Sequence, residues 1–159
     1  MKITRDKIVG ELRNKLMSND HVVAFWLEGA DAHDRVDDYS DLDVWLDVSD
    51  GREKMIMNSL RKILQKLAPI DFEMEVKHPH PKIRQAFFHL QGTPEYLIVD
   101  VCVQSHSRDF FYTIGHADEK VAMIFEKQPV IKYRSLNQVK HKAFLAKREA
   151  ELRAGFSFF

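Results

Sequence analysis

Residues 25–48 read FWLEGADAHDRVDDYSDLDVWLDV, and two patterns meet inside them. The last eight, DLDVWLDV, alternate with period two, with Leu42, Val44 and Leu46 on one side and Asp41, Asp43 and Trp45 on the other. Successive side chains of a strand point to opposite faces, so the stretch reads as a strand with one buried face. The residues before it, HVVAFWLEG (21–29), are rich in β-branched and aromatic types and close on Gly29, which reads as a second strand. Between the two, Asp31, Asp34, Asp37 and Asp38 need no more than a solvated loop. Asp41 and Asp43 differ, because alternation sets them side by side. Left unpaired, the two carboxylates repel and raise each other's affinity for protons. A hard divalent cation removes that penalty, and Mg²⁺ is the usual choice where phosphate oxygens complete the shell.

Working outward, TRDKIVGELRNKLMSND (4–20) has Ile8, Val9, Leu12, Leu16 and Met17 at helical spacing, with Thr4 as the expected cap and Asn19 at its end. After the aspartate strand, Asp50 and Glu53 form an expected capping pair. The helix they would start carries an apolar face of Ile56, Leu60, Ile63, Leu64 and Leu67 and stops at Pro69. IDFEMEVKH (70–78), IRQAFFHLQ (83–91), YLIVDVCVQ (96–104) and KVAMIFEK (120–127) read as strands, separated by HPHP and GTPE. SLNQVKHKAFLAKREAELRAG (135–155) reads as a helix with a Ser135/Gln138 capping box and Gly155 beyond its end. This order predicts the α/β class, a mixed sheet with helices packed against it. Residues 1–134 are expected to form the main domain. Residues 135–159 are expected to be a C-terminal helix and apolar tail. The tail, FSFF, would pack back on the domain, begin a helical second domain or make a homo-oligomer contact.

Composition narrows the class. Twenty-four Lys and Arg balance twenty-four Asp and Glu, which leaves no global charge footprint for nucleic acid, and none is expected as a partner. One cysteine, Cys102, excludes an internal disulfide and a cysteine zinc site. No apolar run is long enough to span a bilayer, and the charged N-terminal stretch lacks the apolar core of a signal peptide. The chain is therefore expected to be cytoplasmic, with no membrane partner.

Asp100 interrupts YLIVDVCVQ, the most apolar strand. An ionised carboxylate there is costly unless it is hydrogen-bonded, paired or bound to metal. It shares a strand face with Ile98 and Cys102, while Leu97, Val99, Val101 and Val103 line the opposite face. A neighbouring strand aligning it with Asp41 and Asp43 would build a three-carboxylate cluster able to hold two metals for phosphoryl or nucleotidyl transfer. Taken alone, a buried Arg or Lys partner is the plainer reading of Asp100. Gly29 ends its strand where backbone N–H groups can turn outward and cradle phosphate oxygens.

Strand, Gly29, Ala30, ten residues ending in Ser40, Asp41-Leu42-Asp43 and a later strand aspartate together resemble the nucleotidyltransferase family related to DNA polymerase β. The resemblance covers residues 21 to 104. It implies a nucleotidyltransferase-like fold, with Asp41, Asp43 and Asp100 as catalytic and metal-binding residues and Gly29, Ala30 and Ser40 at the nucleotide. Two Mg²⁺ ions and ATP or another NTP are implied with them. The implied reaction moves a nucleoside monophosphate to an acceptor hydroxyl and releases pyrophosphate, with a small molecule as the acceptor in the antibiotic adenylyltransferase branch. An antitoxin-like enzyme that modifies a protein, or a non-catalytic nucleotide-binding module, stands as the alternative. The chain departs from the family at Ala30, where the family has serine, and at Ala32-His33-Asp34, where many members have Ala-Arg-Gly.

Rival uses of these residues fit less well. Glycosyltransferases with Asp-x-Asp are usually much longer, and an EF-hand register fails at Tyr39 with no central glycine. His78 and His80 in HPHP stand close enough to share a metal, but an exposed turn is the plainer reading. His89, His106 and His116 follow no ligand spacing, and Phe87, Phe88, Phe110 and Phe111 are expected in a core or lid.

Overall fold

The computed structural model describes residues 3–114 and 119–156. In chain order the elements are α1 (Arg5–Leu16), β1 (Val22–Leu27), α2 (Gly29–Ala32), β2 (Leu42–Val48), α3 (Glu53–Leu67) and β3 (Ile70–Val76). They continue with β4 (Ile83–Leu90), β5 (Val99–Ser105), β6 (Tyr112–Ile114), β7 (Ala122–Glu126), β8 (Tyr133–Ser135) and α4 (Gln138–Phe156). Six strands form one mixed sheet in the order β3-β4-β5-β2-β1-β7. The α/β class expected from the sequence is observed.

Within this sheet β2 and β5 run parallel, and every other neighbouring pair is antiparallel. Parallel neighbours need a long crossover, supplied here by α3, β3 and β4. Alternation divides the sheet into two unlike faces. Leu42, Val44 and Leu46 of β2 join Val99, Val101 and Val103 of β5 in the main core, with Ile8, Leu12 and Leu16 of α1 and Ile56, Leu60 and Leu64 of α3. Burying each such side chain contributes about 1.5–3 kcal/mol. This face therefore holds β2 and β5 in register whatever their other face carries.

The opposite face is only partly covered. There Ala24, Trp26 and Trp45 pack with Phe110, Val121, Val130 and Ile131 in a smaller cluster. Trp26 stacks on both Trp45 and Phe110, at centroid distances of 6.0 and 6.1 Å. Phe88 lies in the main core and Phe110 packs in this smaller cluster, whereas Phe111 is 42% exposed. Cys102 lies on the same face and is buried, as expected.

Several local expectations are corrected. Asp50 and Glu53 do not cap α3: Asp50 accepts the Ser107 amide, and Glu53 accepts from the Gly51 amide and the Ser105 hydroxyl. Asn137, not Ser135, accepts an amide at the start of α4, and Gly155 lies within that helix. Met17 is 48% exposed instead of joining the buried face of α1, while Met57 joins that of α3. Thr4 caps α1 as expected. Strands β6 and β8, which pair in a small parallel sheet, were not foreseen. The side chains of residues 142–155 in α4 are exposed. His116 and the end of FSFF from residue 157 lie outside the described residues. Among the described residues no helix is long and apolar enough to cross a membrane.

Candidate functional site

The site begins with register. Pairing of β2 with β5 sets Asp43 directly beside Asp100, at the starts of the two parallel strands. Hydrogen-bonded neighbouring strands lie about 4.8 Å apart, so the two side chains rise from adjacent positions on the partly open face. Asp41 lies one residue before β2 and is exposed. Both Asp43 and Asp100 feel its charge. The three carboxylates picked out from the sequence are therefore electrostatic neighbours.

Their environments differ. The Asp43 side chain has no hydrogen-bond or ion-pair partner among the described residues, although it is half-buried. Burial pushes its carboxyl from the ordinary 3.8 to about 6, and the charges of Asp41, Asp100, Glu28 and Asp31 add to the rise. Burial also raises Asp100, against the hydrogen bonds from Gln85, whose amide nitrogen lies 2.9 and 3.0 Å from its two oxygens. The partner of Asp100 is thus a neutral amide and not the Arg or Lys that the plainer reading would require.

Gly29 suits its place both in backbone conformation and in space. Its φ is +59°, in the left-handed region that side chains disfavour. A Cβ there would overlap Asp43 Oδ2 and lie 3.1 Å from its Cγ. The Glu28 amide donates to the Asp43 carbonyl at 3.1 Å, which ties the end of β1 to β2 just before this close approach. Gly29, Ala30, His33 and Arg35 line an adjoining pocket of about 390 Å³. The hydroxyl of Ser40 is used locally: it donates to Asp37 Oδ1 at 2.7 Å and accepts the Asp37 amide, closing a turn ahead of Asp41.

Two residues of the site were not picked out from the sequence. Glu28 extends the carboxylate row onto β1, because Trp26 pairs with Trp45 and the next residue on that face meets Asp43. Burial raises its carboxyl, against hydrogen bonds donated by the Tyr112 hydroxyl and Trp26 Nε1. Its place was legible in principle from alternation through FWLEG. Arg5 was not, since only the tertiary fold brings α1 to the loop. Its guanidinium donates to Asp31 at 2.5 Å and to the carbonyls of Ser40 and Asp41 at 2.5 and 2.8 Å. Asp31 is thereby an anchored residue and not merely a solvated one.

The donor set is chemically suited to a hard cation: carboxylate oxygens, one of them half-buried and unpartnered. Among the described residues, however, no three His, Cys, Asp or Glu are gathered tightly enough to enclose an ion by themselves. Asp41 is exposed and both Asp100 oxygens already meet Gln85, so oxygens from a bound molecule would be needed to complete a shell. Compared with known proteins, the chain matches no protein-family model and no curated sequence.

Proposed function

We propose that the chain is a metal-dependent nucleotidyltransferase with a nucleotidyltransferase-like fold, working in the cytoplasm and moving AMP from ATP to a hydroxyl of a small molecule. The observation that carries this reading is the unpartnered, half-buried Asp43, in register with Asp100 and packed against a glycine that admits no side chain. Asp41 and Asp43 would hold Mg²⁺, with Asp100 completing the set for a second ion. Bound there, the metal would neutralise phosphate charge as it shifts in the reaction. The pocket beside Gly29 and Ala30 suits the triphosphate, since His33 and Arg35 on its wall supply donors and positive charge. Asp100, held by Gln85, would accept the acceptor's proton. Ala30 gives a second reading some ground: without a hydroxyl at this position the same site could bind nucleotide without turning it over.

Calorimetry with Mg–ATP, repeated on Asp41→Asn/Asp43→Asn, tests the first reading. Binding that needs Mg²⁺ and is lost in the variant is expected, and binding indifferent to both would remove the proposal. Pyrophosphate release on screening hydroxyl-bearing acceptors then separates the enzyme from the binding module.

A further inference from the structure

The turn between β3 and β4 carries HPHP, a motif with no part in the carboxylate row. His78 Nδ1 accepts the His80 amide at 3.0 Å, and His80 Nδ1 accepts the Lys82 amide at 3.1 Å. A neutral imidazole that accepts at Nδ1 carries its proton on Nε2. Both rings therefore present N–H donors, the wrong polarity for a shared metal. They line a pocket of about 450 Å³ together with Lys77, Glu75, Arg84 and Ile83.

The donors of this pocket outnumber its acceptors. Among the described residues, the Lys77 ammonium and the Nε2 atoms of both histidines have no hydrogen-bond acceptor. Arg84 donates through one terminal nitrogen to Glu75 Oε1 at 2.7 Å, which occupies the only carboxylate lining the pocket. Its Nε–H is buried and unsatisfied. The turn sits at the far end of β5 from Asp100, since Ile83 pairs with Gln104 and the Ser105 amide donates to the Lys82 carbonyl.

We propose that this hairpin pocket binds an anionic oxyacid group, carboxylate or phosphate. A planar or tetrahedral oxyanion takes several N–H donors at once, which matches Lys77, Arg84 and the two imidazoles.

The probes are inorganic phosphate and acetate, titrated separately into the metal-free protein in EDTA while NMR follows the ring resonances of His78 and His80. Saturable shifts with at least one probe are expected, and the tighter probe distinguishes phosphate from carboxylate. Lys77→Ala, at an exposed position, should weaken that binding about tenfold, the loss of one charge-assisted contact. Arg84→Lys keeps the charge but removes the guanidinium fork and should also weaken it, with thermal melts confirming both folds. Shifts that never saturate, or that neither variant changes, overturn the site.

Discussion

Replacing Asp43 by asparagine should make the protein more stable above neutral pH, although it removes a residue from the centre of the candidate site. Asparagine keeps the shape and removes the charge. In the folded chain burial and neighbouring carboxylates push Asp43 from 3.8 to about 6. The folded state thus holds this proton more tightly than the unfolded chain does. Stability falls as the pH rises from the unfolded value through the folded one, and the full loss is present above about pH 6. At about 1.4 kcal/mol per tenfold change in proton affinity the unscreened loss is about 3 kcal/mol. Solvent screens a half-buried carboxylate, so about 1–1.5 kcal/mol is a sounder expectation.

For a chain of this size that gain corresponds to a melting temperature higher by about 2–6 °C. Thermal denaturation of both proteins across pH measures it. The gap should be open near pH 8 and closed near pH 4, below which Asp43 is neutral in both states. Saturating Mg²⁺ should then raise the melting temperature of the wild type and leave Asp43→Asn unchanged, since a ligand stabilises only the state that binds it. A variant no more stable at pH 8, or a gap equally wide at pH 4, would refute the argument from repulsion.

Gly29→Ala tests the close approach. Forcing alanine into the left-handed region costs about 1–2 kcal/mol, or roughly 2–8 °C, and the added methyl displaces the Asp43 carboxylate, so Mg–ATP binding should fall far more than stability does. Calorimetry beside a thermal melt separates the two effects. Arg5→Ala removes three hydrogen bonds that tie α1 to Asp31, Ser40 and Asp41. It should cost about 2–3 kcal/mol, the range for bonds to a charged group, and weaken Mg–ATP binding by loosening the segment that carries Asp41. Arg5→Lys should restore stability in part without restoring the two-carbonyl grip, which denaturant melts and calorimetry read separately.

The strands that hold the site were legible because their signal is local. Alternation in DLDVWLDV names its buried and open faces without reference to any partner, and the same reasoning separates Asp100 from Val99 and Val101. That β5 lies beside β2 is a long-range fact, fixed by the crossover over residues 49–98, and the sequence alone offered it only as a condition. The cap expected for α3 failed for a related reason. Asp50 and Glu53 have the spacing of a capping box, but the end of β5 brings Ser105 and Ser107 to them, and these tertiary partners outcompete the local pattern. Glu28 shares the open face by the same alternation, but its place beside Asp43 depends on the pairing of β1 with β2. Arg5, on an amphipathic helix, looked like an ordinary solvated charge.

Two aspartates on one strand show why Asp43 carries the functional reading. Asp47 occupies the same face of β2, four residues further on, and is 1% exposed. The protein satisfies it fully: Gln104 donates to one oxygen at 2.7 Å, and His106 lies 2.6 Å from the other. The fold is thus able to supply partners to a buried carboxylate on this face, as buried charge requires. At Asp43 it supplies a glycine in place of a donor and surrounds the carboxylate with Asp41, Asp100 and Glu28. A structural aspartate would gain nothing from that arrangement. A residue that must lend its oxygens to a cation would, because any protein donor in that position would compete with the ion for the same lone pairs.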